Sequence, residues 1–231
     1  ASDVYKRQIL LITLASVRPI RLRRSAHLSL GSVFGFAAIC LFGPTFGTLC
    51  FIIGLALSYI LNQWRGHFWK WYQIVFNVAA QALSLDLGGQ LYLFLHRGDV
   101  NPVISLGNAL AFVLGGSAFV LLNNLLIAVV IGLSERVSPK QVLQLNWPGS
   151  WIQLVSHVPL AGIVVILYQS RPWAVFLILL PLAAIHLSVE EAALLRLHAQ
   201  QTLEFVAMLV DAREPFTAKH SRQVAQYALA I

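Results

Sequence analysis

Residues 104–133 read ISLGNALAFVLGGSAFVLLNNLLIAVVIGL, an uninterrupted apolar run with no charged residue. A bilayer hydrocarbon core of ~30 Å takes about 20 residues of helix. The run is therefore too long for one straight crossing, and how it crosses decides the topology of the chain. Gly115-Gly116 lies inside it. Two readings follow: a tilted, kinked helix that crosses once, or a short interfacial piece followed by a span at 117–133.

The rest of the composition agrees with a membrane setting. Of 231 residues, 58% are hydrophobic and 11% are charged, and the mean hydropathy is +0.74; a soluble domain carries about 25% charged residues. The formal net charge of +7 does not point to nucleic acid. Arg18, Arg21, Arg23 and Arg24 lie in one short stretch between two apolar runs, where juxtamembrane cations are expected, and no complete soluble element presents a basic face. Cys40 and Cys50 sit inside apolar runs on either side of Gly43-Pro44 and read as small hydrophobes in packing. The opening octet ASDVYKRQ is neither an initiator segment nor a signal peptide. It resembles translated adapter sequence at the end of an assembled read, so residues 1–8 are expected to be a non-native leader.

Working outward from 104–133, residues 9–16 read as a partial first span. Residues 27–43 and 45–62 form a hairpin split by Pro44, which opens a helix well and continues one poorly. QWRGHFWKW (63–71) mixes tryptophans with Arg65 and Lys70, as membrane–water interfaces do. Further spans are expected at 72–96, once across 104–133, and at 150–168 and 173–189, with 134–149 as a polar loop. If the C-terminus is cytoplasmic, loops 17–26, 63–71 and 134–149 face inward with four, two and two Lys or Arg; the outward loops carry only Arg97 and Arg171. That bias follows the positive-inside rule, and it holds only if 104–133 crosses once. The expected fold is all-α: a polytopic bundle of about seven spans over 9–189.

Asp86 lies near the middle of the fourth span, in NVAAQALSLDLGGQ. A charge at the bilayer centre costs ~2.5–3.5 kcal/mol on insertion scales, so it is expected to face the bundle interior. Asn77 and Gln81 are near it in sequence; Asn108, Asn123, Asn124 and His157 are candidate partners on other spans. Two readings stay open. One is a ligand-binding or proton-sensing pocket built from Asp86, Asn123 or Asn124, and His157. The other is ordinary interhelical hydrogen bonding.

After 189 the composition changes. Glu190, Glu191 and Arg196 enter, while Leu194, Leu195, Leu203, Val206 and Leu209 keep a helical apolar stripe. Residues 190–210 therefore read as a connector helix whose stripe can pair two copies into a homodimer. Pro215 breaks that helix, and Thr217 is a good N-cap for a new one beginning at Ala218. On the new helix His220 shares an apolar face with Val224 and Ile231, which by itself indicates a core histidine.

The closing stretch DAREPFTAKHSRQVAQYALAI (211–231) resembles the opening of the HD-GYP domain. Asp211, Ala212, Arg213, Pro215, Thr217, His220, Ser221, Val224, Ala225, Tyr227 and Ala228 fit its pattern; Glu214, Phe216 and Gln223 depart from it. The resemblance covers about thirty residues counting the TLEFVAMLVDA lead-in, and it implies the first helices of an all-α HD-type output domain. It also implies a metal-dependent phosphodiesterase acting on cyclic di-GMP. In that family the residue matching His220 is a metal ligand in a two- or three-metal site, which iron or manganese suits. The family's later His-Asp and GYP motifs do not occur in these 231 residues, so the chain by itself is expected to be catalytically inert, with 211–231 an incomplete domain start. Rival readings are a transporter or channel-like bundle, which would show matching broken helices, and a sensor kinase using His220 as phosphoacceptor. Gly115-Gly116 has no evident sequence counterpart for the first, and the second needs an exposed histidine.

Overall fold

The computed structural model describes residues 2–17, 20–23, 26–28, 30–64, 69–96 and 106–213. They form seven helices and one short ribbon: α1 (Ser2–Val17), strands β1 (Ile20–Arg23) and β2 (Ala26–Leu28), α2 (Gly31–Phe42), α3 (Pro44–Trp64), α4 (Trp71–Leu95), α5 (Leu106–Glu135), α6 (Pro139–Ser170) and α7 (Val175–Arg213). A single 3₁₀ turn at Pro172–Ala174 joins α6 to α7. The fold is all-helical apart from the antiparallel ribbon, which starts in the expected loop 17–26 and reaches Leu28 in the run expected to be a span.

Four helices among the described residues are long and apolar enough to cross a membrane: α3, α4, Asn108–Glu135 of α5, and α6. This is fewer than the seven runs counted from sequence. The run at 27–43 supplies a helix of only 12 residues, about 18 Å long at 1.5 Å per residue. The run at 9–16 belongs to α1, which has 16 residues and starts at Ser2 within the octet set aside as a leader. Tyr5 stacks on Phe46 with ring centroids 5.7 Å apart, and Gln8 is buried.

The short α2 is the centre of the bundle. Every residue from Gly31 to Ile39 is buried, as expected of a helix apolar all round. It packs against α1, α3, α4 and α6. Phe34, Phe36 and Ile39 lie in one core cluster with Phe51, Leu85, Tyr92, Phe112 and Phe119. Gly43 ends α2 with φ +88° and ψ 162°, a conformation essentially restricted to glycine, and Pro44 opens α3. The hairpin expected at this point is therefore present, with Gly43 making the turn.

Glycines set how close the helices come. A Cβ on Gly88 would lie 2.6 Å from the Gly115 carbonyl oxygen, and one on Gly115 would lie 2.7 Å from that of Gly88. Both distances are below any real Cβ contact, so α4 and α5 meet backbone to backbone. The next glycine on each helix reaches a different neighbour: Gly89 abuts Ile39 of α2, and Gly116 abuts Val158 of α6. Helix α5 runs unbroken through Gly115-Gly116. The run is therefore one helix and not an interfacial piece followed by a span, and its glycines serve close approach, the common use of small residues between membrane helices. They also have the counterpart that the sequence reading did not find, namely Gly88-Gly89.

The segment 134–149, expected to be a loop, is mostly helix. Helix α5 continues to Glu135, Arg136 takes a left-handed conformation at φ 56°, and the Val137 N–H donates to the Gly132 carbonyl at 3.1 Å. This is the six-to-one bond of a Schellman stop. Ser138 then holds the N-cap position of α6, its carbonyl accepting from the Gln141 and Val142 N–H groups, and Pro139 occupies the first turn, where the missing N–H costs nothing. Helix α6 carries Pro148 and Pro159 inside it without ending.

The chain divides into two compact units, Ala1–Leu182 and Ala183–Ile231. In the first, the start of α7 adds Val175 and Ile178 to the core. In the second, the described residues are helical to Arg213, and Leu194, Leu195, Leu203, Val206 and Leu209 are exposed. Replacing Gly88 by valine should force α4 and α5 apart. Overpacking of this kind costs about 1–3 kcal/mol, so the unfolding midpoint in detergent should fall while Leu87→Val, at an exposed neighbour, leaves it nearly unchanged.

Candidate functional site

The polar residues singled out from the sequence are spread over several places in the bundle. Asp86 is on the face of α4 that meets α3. The Thr48 hydroxyl donates to its Oδ1 at 3.3 Å, and Gln90, one turn further along α4, donates from Nε2 to Oδ2. Each carboxylate oxygen thus accepts one hydrogen bond from a neutral donor. Gly88, two residues on, contacts α5, and residues i and i+2 lie on opposite sides of a helix. Asp86 is therefore turned away from the helix that carries Asn123 and Asn124.

Asn124 joins α5 to α6. Its Nδ2 donates to the Val120 carbonyl at 2.8 Å and to Gln153 Oε1 at 3.2 Å. Asn123, next to it, has a buried Oδ1 without a hydrogen-bond partner. His157 is buried further along α6, with the Ser156 hydroxyl 3.2 Å from its Nδ1. His157 lines a seam with Ser32, Phe36, Gly116 and Phe119 that has no room for a water molecule. Gln153 precedes His157 by one turn of α6, about 6 Å, so the Asn124–Gln153 bond and the histidine lie a turn apart on one face of that helix.

Asn77 bonds the Tyr59 hydroxyl at 3.1 Å, towards the other end of the α3–α4 pair, and Asn108 is buried. The sequence reading missed Thr48, Gln90, Gln153 and Tyr59 as partners. Gln90 was within reach of a helical rule, since it follows Asp86 at i+4. Thr48, 38 residues from Asp86, could be found only from the helix pairing.

These contacts can do two things chemically. The Asn124–Gln153 and Asn77–Tyr59 pairs tie helices together with neutral hydrogen bonds. The Thr48–Asp86–Gln90 group presents a half-buried carboxylate held in a fixed direction. No group of three or more His, Cys, Asp or Glu side chains suited to a metal ion occurs among the described residues. His220, the metal ligand implied by the resemblance, lies outside the described residues. Comparison with known proteins finds no matching family, no matching curated protein and no matching solved structure.

The asparagine pair gives a paired test. Asn124→Leu removes the α5–α6 bond to Gln153, and bonds of this type average about 0.6 kcal/mol in membrane bundles; the unfolding midpoint should fall. Asn123→Leu removes a buried acceptor that has no partner, so the midpoint should hold or rise. Thermal unfolding of the two variants in one detergent checks the opposite signs.

Proposed function

We propose that the chain is the membrane input region of a multi-pass signalling protein of the bacterial inner membrane, followed by the start of a cytoplasmic HD-GYP output domain. The membrane setting is supported by the four long apolar helices and by tryptophans exposed near helix ends, notably Trp64, Trp71 and Trp173. Counting α1, α2 and α7 with them gives the seven-span reading, and the bias of Lys and Arg gives the cytoplasmic C-terminus.

The output assignment rests on one observation, the spacing of residues in DAREPFTAKHSRQVAQYALA from Asp211 onward. By that likeness the parent protein hydrolyses cyclic di-GMP at a site of two or three metal ions, iron or manganese, with His220 as the first ligand. Adjacent metals would activate the attacking hydroxide and neutralise the phosphate. The exposed stripe of Leu195, Leu203, Val206 and Leu209 on α7 would pair two copies, so that a change in the membrane region biases the output domain through the helix.

The transporter reading gains the facing glycine pairs, but both pairs lie in unbroken helices. Transporter sites are typically built on interrupted ones. The signalling reading is the better supported.

The test uses the gene read on from Ile231, expressed whole and assayed for cyclic di-GMP hydrolysis with Mn(II) or Fe(II). Activity should be present, and His220→Ala should lower it by at least the ~100-fold that loss of a supporting metal-site partner can cost. An open reading frame without a His-Asp pair, or activity untouched by His220→Ala, overturns the assignment.

A further inference from the structure

Between α3 and α4 runs an open apolar groove of about 370 Å³, lined by Ile52, Ala56, Val75, Val78, Ala79 and Ala82 among others. Three alanines make it concave where neighbouring leucines would fill it. On α4 the groove residues Val75, Ala79 and Ala82 continue in helical steps of three and four to Asp86 and Gln90. On α3, Ala56 and Ile52 lead at i+4 spacing to Thr48. The groove and the Thr48–Asp86–Gln90 group therefore share one face of the helix pair, with the carboxylate at one end of the apolar channel.

We infer that this groove binds one membrane lipid with a primary ammonium headgroup, its acyl chain along the alanines and its ammonium on the Asp86 carboxylate. The inference rests on the membrane reading above and is independent of the output domain.

Depth supports a lipid. Thr48 is four residues into α3 from Pro44, about 6 Å below the start of that helix. At the same end Tyr5 stacks on Phe46 and Phe42 meets the Tyr168 ring edge-on at 5.5 Å; tyrosines of this kind mark the headgroup level. Asp86 therefore sits one turn below an interface, where a headgroup reaches it. From Asp86 to Val75 is eleven residues, about 16 Å, close to half of a ~30 Å hydrocarbon core. The lining itself runs from Ile74 to Ala82 on α4, about 12 Å, a length that takes the upper part of one acyl chain whose headgroup is on Asp86.

Charge decides the headgroup. Thr48 and Gln90 give the carboxylate two neutral donors, and a carboxylate has about four acceptor positions. Neither donor brings positive charge, and a carboxylate beside an apolar channel is held best by a cation that also donates hydrogen bonds. A primary ammonium does both. An anionic headgroup is repelled.

The test takes the full chain, purified in mild detergent after incubation with vesicles of equimolar phosphatidylethanolamine and phosphatidylglycerol, and weighs retained lipid by native mass spectrometry. The wild type should retain the ethanolamine lipid about tenfold over the glycerol lipid, the discrimination that one hydrogen bond to a charged group supports. Asp86→Asn should bring that ratio to about one, and Ala82→Phe, which fills the groove, should lower retention of both lipids. A measurement without any variant covers the case of a misfolded mutant: dodecylamine should displace the lipid from the wild type, and dodecanol at the same concentration should not. Equal retention of the two lipids, an unchanged ratio in Asp86→Asn, or equal displacement by amine and alcohol overturns the inference. So does a dimer mass that Ala82→Phe dissolves, because a second copy would then occupy the groove. Alkaline carbonate extraction separates the two readings. A chain that washes off the membrane refutes the membrane reading itself, and a chain that stays but shows no preference refutes only the lipid site.

Discussion

The bundle depends on α4 and α5 touching through their backbones at Gly88 and Gly115. In lipid no hydrophobic force draws two apolar helices together; close packing must do it, and only small residues let main chains approach this far. From that contact the second glycine of each pair fixes a further neighbour. Gly89 receives Ile39 and Gly116 receives Val158, so α2 and α6 are positioned by the same two helices. The short α2 can then be buried on every side, with longer helices enclosing it.

The close approach also determines where polar groups sit. With Gly88 turned towards α5, Asp86 is turned towards α3 and finds Thr48. With Gly116 against Val158, the antiparallel run of α5 and α6 carries Asn124 to Gln153, one turn of α6 from His157. Helix rotation separates Asp86 from the asparagines, while Gln153 and the histidine stay on one face of α6. Two of the hydrogen-bonded groups hold helices together, and one leaves a carboxylate at the end of a groove.

Much of this was legible. The apolar runs gave α3, α4 and α5, and Gly43-Pro44 gave the hairpin, because chain reversal by Gly-Pro is a local property of the backbone. The role of Gly115-Gly116 was not local. Glycine permits both a kink and a close approach, and only the presence of Gly88-Gly89 opposite decides between them. The start of α6 was hidden for another reason. QVLQLNWPGS looks polar and contains Pro148, yet Ser138-Pro139 is a sound helix opening, and the stop before it is made by Arg136 in a left-handed conformation that residue type does not announce. The length of α2 was hidden too, since 27–43 reads as one largely apolar run but His27 and Leu28 are taken into the ribbon.

The rest of the packing stands on the α4–α5 crossing, and a thiol-crosslinking scan in native membranes that leaves the glycines in place tests it most directly. With Cys40 and Cys50 replaced by alanine, a cysteine pair at Tyr92/Phe112, whose rings lie 6.1 Å apart across α4 and α5, should be joined by a short bifunctional thiol reagent. A pair at Gln81/Phe112, eleven residues or about 16 Å along α4 from Tyr92, should not. Crosslinking at Gln81/Phe112 as fast as at Tyr92/Phe112, or none at Tyr92/Phe112, would contradict this packing.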